Sequence, residues 1–193
     1  MTAEPNLHHG RRYFDQMYEA DPDPWGFDTS FYERRKYDLT MAALPRQHYE
    51  RAVEAGCANG ALTRLLAPRC DELIAFDFVE DAVDRARQRL AGAAHVTVRC
   101  AEFPLWWPSG SGDLVVWSEV VYYLNESGFA RAAAGLDRWL RPGGHLLAVH
   151  YTGVTDYPLG GAEAHRLIDG LGFLHSRFVA VDTRFVAQLW RRS

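Results

Sequence analysis

The sequence predicts an α/β fold: a mostly parallel seven-stranded sheet with one antiparallel strand and helices on both faces. Three observations carry this. From residue 51 onward, short apolar runs alternate with segments whose apolar residues recur at helical spacing. The runs are nearly continuous, as in DLVVWSEV at 113–120, which is the pattern of strands covered on both sides. A glycine turn, EAGCANG, joins the first run to the first helix of the alternation, where open parallel sheets place their ligands. At 193 residues the chain fits one domain, read as an N-terminal helical extension over 1–45 that covers a core domain at 46–193.

In chain order, Tyr13, Phe14, Met17 and Tyr18 mark one side of a short helix, and DPDPWGFDTS reads as a loop. FYERRKYDLTMAAL is helical, with Tyr37, Met41 and Leu44 in line, and ends at Pro45. RAVEAG is the first strand, and NGALTRLLAPR a helix with Leu62, Leu65 and Leu66 inward. ELIAFD, HVTVRC, DLVVWSEV and HLLAVHY supply the next four strands. EDAVDRARQRLAG and SGFARAAAGLDRWL are helices among them, and RPGG is a turn before the fifth strand. AEAHRLIDGLG closes as a helix on glycine. FLHSRFVAVDTRFVAQLWRR supplies two strands joined by few residues, one of which is expected to be antiparallel.

Composition removes several classes. A net charge of −4 with scattered arginines gives no attraction to nucleic acid or an anionic membrane. No apolar run reaches the length of about 18 residues that a membrane span requires. No signal-peptide pattern opens the sequence, so a cytoplasmic location is expected. Cys57, Cys70 and Cys100 lack CxxC spacing, and an odd count without a secretion signal argues against a disulfide framework. His8 and His9, without further ligands, make no metal site.

Three cofactors compete for the glycine turn. A P-loop needs Gly-Lys followed by Ser or Thr, which the chain lacks. A dinucleotide turn places a second glycine where Ala58 stands. S-adenosylmethionine has a ribose but no phosphate; it needs a tight turn, an acid for the ribose and apolar surface for adenine. Gly56, Cys57, Ala58 and Gly60, with Asp77 17 residues after the last glycine, fit that need. Asp77 would accept both ribose hydroxyls. Phe78 would pack on adenine, with Glu102 and Phe103 near its edge at the end of the third strand, and Ser118 and Glu119 would face the methyl group.

With these landmarks in order, residues 53–149 resemble a class I S-adenosylmethionine-dependent methyltransferase of Rossmann-like fold. The chain further resembles the nodulation-type (NodS-like) N-methyltransferases through DPDPW at 21–25, YExxKY at 32–37, LAPRCD at 66–71, SEVVYYL at 118–124 and DYPL at 156–159. Ala58-Asn59 stands where the family turn more often has a serine or glycine and another residue. The resemblance implies methyl transfer to the free amine of a deacetylated chitooligosaccharide or a similar small amine, and a role for Lys36 on the cofactor carboxylate. Neighbouring Arg34 and Arg35 are alternatives to Lys36.

In-line displacement at a sulfonium requires alignment and exclusion of water rather than a covalent intermediate. Trp25 and Tyr32 either lie over the cofactor or seal the extension to the core. Glu119 and His150, at the ends of the fourth and fifth strands, are the candidate proton acceptors, and Tyr122 and Tyr123 candidate hydrogen-bond partners of the acceptor. His165 is expected near the acceptor cleft. Trp106 and Trp107 either stack on a ligand ring or form a hydrophobic corner. The leading expectation is N-methylation of an amino sugar or related amine. O-methylation of a hydroxylated small molecule and a non-catalytic cofactor-binding role are the alternatives.

Overall fold

The computed structural model describes residues 11–21 and 23–193. His8, His9 and Pro22 of the DPDPW segment lie outside the described residues. Two helices come first, α1 (Arg11–Ala20) and α2 (Phe31–Ala42). Ser30 starts α2 by accepting the Glu33 N–H at 3.4 Å, the first half of a capping box. The alternation follows: β1 (Tyr49–Ala55), α3 (Ala61–Leu66), β2 (Cys70–Asp77), α4 (Glu80–Arg89), β3 (Val96–Cys100), β4 (Gly112–Ser118), α5 (Glu126–Trp139), β5 (Leu140–Tyr151), α6 (Gly161–Asp169), β6 (Leu174–Val181) and β7 (Phe185–Arg192). Asn125 caps α5 by accepting the Gly128 N–H at 2.8 Å.

The strands form one sheet in the order β3-β2-β1-β4-β5-β7-β6, with β7 antiparallel to both neighbours. The order reverses at β1, so a crevice opens beyond its carboxyl end, between it and β4. RPGG differs from the expectation of a separate turn. It lies inside β5, where Leu140 pairs with Gly112 and His145 with Leu114, so residues 141–144 bulge out opposite Asp113. Gly143 supplies the positive φ of +76° that the bulge needs.

Both faces of the sheet are covered. Ala52, Leu73, Leu114, Val116 and Leu147 pack with Tyr37 of α2 and with Ala61, Leu62 and Leu66 of α3, while Ala75 meets Ala86 of α4. Val53, Ile74, Val115, Trp117 and Leu146 pack with Ala132 and Leu136 of α5 and with Ala164 and Ile168 of α6. Trp117, Trp139 and Trp190 are fully buried; aromatic side chains of this size dominate the energetics of such cores. The three cysteines are free thiols, and burial raises the Cys57 pKa well above its ordinary value. Among the described residues no helix is long and apolar enough to cross a membrane.

Charged contacts fasten the leading helices to the sheet domain. Asp28 takes a two-pronged bond from Arg89 of α4, at 2.6 and 2.5 Å. Arg35 pairs with Asp182 on the β6–β7 turn. Lys36 reaches Glu119 at the end of β4.

Candidate active site

A cavity of about 540 Å³ opens beyond the carboxyl ends of β1, β2, β4 and β5, roofed by α1, α2 and the loop between them. Its floor is the glycine turn. Gly56 and Cys57 donate to the Phe76 carbonyl at 2.8 and 3.0 Å. Gly56 has φ +70°, and a Cβ there would sit 2.2 Å from Val120 Cγ1, so no larger residue fits. Ala58 holds φ +47°, a left-handed conformation that costs an L-residue roughly 1–2 kcal/mol. Asp77 holds the turn in place: Oδ2 accepts the Ala58 N–H and Oδ1 the Val79 N–H, both at 3.0 Å.

Glu54, the last acid of β1, lines the same floor at 2% exposure. Its Oε2 is buried without a hydrogen-bond partner. Burial, opposed by the nearby Thr63 hydroxyl and aided by the Asp77 charge, pushes its pKa up to about 8. The walls are aromatic. Phe14 meets Phe78 and Tyr123 edge-on, each at 5.3 Å, and Tyr18 and Phe27 flank Trp25 at 5.5 Å. Such walls suit a flat ring or a desolvated cation.

The opposite end of the cavity is built around Glu119, which holds φ +57°. A non-glycine residue in this region at a ligand site is strain that the surrounding bonds must maintain. Glu119 Oε1 accepts from Lys36 Nζ at 2.7 Å; Oε2 accepts from the Tyr122 hydroxyl at 2.6 Å and from the Tyr151 N–H at 2.9 Å. Lys36 also donates to Glu33 Oε1 at 3.0 Å. Burial works against the Lys36 charge, but Glu119 and Glu33 more than offset it, so its pKa is raised. Tyr122 stacks on Tyr157 with centroids 4.9 Å apart, and Tyr123 packs on the same ring at 4.5 Å.

His150 is placed differently from expectation. It is wholly buried and does not line the cavity. The Val121 N–H points at its Nε2 (3.2 Å), which fixes that nitrogen as the acceptor. Its Nδ1–H therefore donates to His165 Nε2 at 3.1 Å, and His165 Nδ1–H to Gln188 Oε1 at 3.1 Å. Burial and the neighbouring His165 hold the His150 pKa well below the usual imidazole value, so the ring is neutral and structural. Glu102 also lies off the cavity, and Gly60 shapes the turn, φ +78°, from outside it. Trp106 packs on Phe76 and Trp107 on Trp117, and neither faces the cavity. Among the described residues no group of three or more His, Cys, Asp or Glu is arranged to hold a metal.

The remaining expected residues converge on the cavity: Trp25, Tyr32 and Lys36 from above, Cys57, Ala58, Asp77, Phe78 and Phe103 around the turn, and Ser118, Glu119 and Tyr122 at the far end. Gly56 joins them at the floor. Phe14, Tyr18, Glu33, Glu54, Tyr157 and Arg184 line it too, although sequence reasoning did not single them out as site residues. For Phe14 and Tyr18 the i, i+4 spacing on α1 was the available signal, and for Glu33 the i, i+3 relation to Lys36.

The family profile of nodulation protein S (NodS) matches residues 11–149 of the chain, well over half its length. The chain belongs to the NodS family. It is 38% identical over 130 residues to nodulation protein S of Rhizobium tropici, covering 66% of this chain and 55% of that protein, so it spans just over half of that relative's length. A proposed methyltransferase from Pseudomonas syringae, known from its crystal structure, is 40% identical with a TM-score of 0.76, covering 84% of this chain and all of the other. The N-methyltransferase NodS of Bradyrhizobium japonicum WM9, crystallised with S-adenosyl-L-homocysteine, is 24% identical with a TM-score of 0.79 over 93% and 97% of the two chains, a likeness of fold. The NodS match takes in the turn, Asp77, Lys36, Glu119 and Tyr122, and stops before Tyr157 and Arg184.

Proposed function

We propose that the chain is an S-adenosylmethionine-dependent N-methyltransferase whose acceptor is the free amine of an amino sugar or a related small molecule. Membership of the NodS family supports this, and the observation that carries it is the juxtaposition, in one cavity, of the Asp77-braced turn with the Glu119–Tyr122 pair. The donor set fits the cofactor: a ribose diol finds the Asp77 carboxylate, adenine finds Phe78 and Phe103, and an ammonium finds the orphaned Glu54 Oε2. Lys36 lies within the same cavity to meet a carboxylate.

When bound, S-adenosylmethionine supplies an electrophilic methyl group on a cationic sulfur. The chain's own part is to orient an amine and to stabilise the charge that gathers on it. Tyr122 gives its hydroxyl hydrogen to Glu119, so the phenol oxygen turns lone pairs outward to accept an amine N–H. The Glu119 carboxylate stabilises the positive charge that gathers on the nitrogen. Its two oxygens are held by three donors, which keeps Tyr122 aimed. Residues of the leading extension, taken as 1–45, act as the cover that keeps bulk water out. A cytoplasmic location goes with this reading.

The test is release of S-adenosylhomocysteine with a panel of acceptors: glucosamine oligosaccharides with a free amine, their N-acetylated counterparts, simple amines and phenols. Turnover of the free-amine members with none of the acetylated ones supports N-methylation. Turnover of phenols or alcohols alone replaces it with O-methylation. Cofactor binding with silence across the panel returns the chain to a binding role.

A further inference from the structure

The acceptor end of the cavity carries one cation that the proposed reaction does not use. At its inner end stand Glu33 and Glu119, with Lys36 as the cation that touches them. At its rim stands Arg184, the residue before β7. The guanidinium carbon lies over the Tyr32 ring, 3.8 Å from its centroid, a cation–π contact that uses none of the guanidinium N–H donors as hydrogen bonds to a carboxylate. No ion pair to Arg184 is formed among the described residues. The nearby carboxylate, Asp182, is engaged by Arg35, by Thr183 and by the backbone N–H of Arg184 itself. Tyr32 also lines this cavity, and its hydroxyl is buried without a hydrogen-bond partner.

The rim and the inner end are tied to one strand. The Tyr151 N–H donates to Glu119 Oε2 at 2.9 Å, and the next N–H, of Thr152, donates to the Arg184 carbonyl at 2.8 Å. Lys36 Nζ, which touches Glu119, lies 5.3 Å from the same Tyr32 centroid that Arg184 covers, so one small molecule can span Glu119 and Arg184. A negative inner end and a positive rim orient a molecule with an ammonium or amine at one end and an anion at the other.

We infer that the acceptor carries an anionic group, a phosphate or carboxylate, in addition to its amine, and that Arg184 binds that group with the Tyr32 hydroxyl as a second donor. The inference rests on the amine-methylation reading for the identity of the reacting end. It does not rest on that reading for the anion. Arg184 lies beyond residues 11–149, the stretch that the NodS profile matches.

The test is calorimetric binding of glucosamine, glucosamine 6-phosphate and glucosaminate to the full chain saturated with S-adenosylhomocysteine. Wild type, Arg184→Ala and Arg184→Glu are compared, with melting temperature and S-adenosylhomocysteine affinity reporting that each variant is folded. The expected result is at least one anionic amine binding about tenfold or more tighter than glucosamine in wild type, falling to about equal in R184A and reversing in R184E. Which of the two anionic amines binds tighter separates phosphate from carboxylate. Equal binding of all three by wild type, no binding of any, or an anion preference that survives in R184E would overturn the assignment. Methyl products are read in parallel by mass. Anion-preferring binding with no amine methylated keeps Arg184 and overturns the amine reading; amine methylation with no anion preference does the reverse.

Discussion

Lys36 Nζ lies 2.7 Å from Glu119 Oε1, with the two side chains only 4% and 20% exposed. One ion pair thus joins the helix that covers the cavity to the strand end where the proposed chemistry occurs. A buried pair of this kind is not a strong net stabiliser, because both charges lose their hydration. What it supplies is position: it holds the Glu119 carboxylate against the covering helix.

Lys36→Met leaves Glu119 and Glu33 buried without their cation. Loss of about 3–5 kcal/mol of stability is expected, together with loss of turnover. Denaturant unfolding and S-adenosylhomocysteine release measure the two effects. Full stability in K36M would mean the pair is not closed in solution.

Tyr122→Phe keeps the ring stack on Tyr157 and removes only the hydroxyl. A fall in kcat of about 100-fold is expected, with cofactor affinity and melting temperature close to wild type. Steady-state kinetics with the best acceptor decides it. A change confined to KM would make Tyr122 a binding contact rather than a group that aims the amine in the transition state.

Glu54 makes stability fall as pH rises. Its folded pKa of about 8 lies above the ordinary 4.5, so between those values the folded state keeps a proton that the unfolded chain has released. Stability from this group declines across that window and levels off above it. Glu54→Gln removes the dependence. Its ligand-free stability should draw level with wild type near pH 5 and exceed it by roughly a few kcal/mol at pH 8. Urea unfolding at three pH values in that range measures the trend.

The two ends of the glycine turn respond oppositely to a methyl group. Ala58→Gly relieves a left-handed alanine and should stabilise the chain by about 0.5–1 kcal/mol after the flexibility glycine adds to the unfolded state. Gly56→Ala drives a Cβ into Val120 and should destabilise it by about 1–3 kcal/mol. Paired thermal melts distinguish the two.

Local chemistry made much of this site legible in the sequence. The turn, Asp77 and the strand ends are fixed by short-range pattern, and so is the antiparallel strand beside a short connection. What failed to show is which way a residue faces at the end of a strand buried on both sides. HLLAVHY has no polar alternation to mark a face, so His150 could not be told from a cavity-lining residue; it turns to His165 instead. The burial of Glu54 and the meeting of Lys36 with Glu119, 83 positions away, are tertiary facts without a local trace. Arg184 sits in a short turn whose sequence carries no hint that it reaches the cavity rim. Bulged strands hide for a similar reason, since RPGG carries turn residues wherever it occurs.

The placement of β7 between β5 and β6 sets an order of biogenesis. Strand β6 is made first yet has no neighbour in the sheet until β7 slots in beside it. The turn, Asp77 and Glu119 all precede that event along the chain, whereas Arg184 arrives with the strand that completes it. As the chain leaves the ribosome, the cofactor turn and the Glu119–Tyr122 pair are synthesised ahead of the residue proposed to choose the acceptor, and choice of acceptor becomes available only once the sheet is complete.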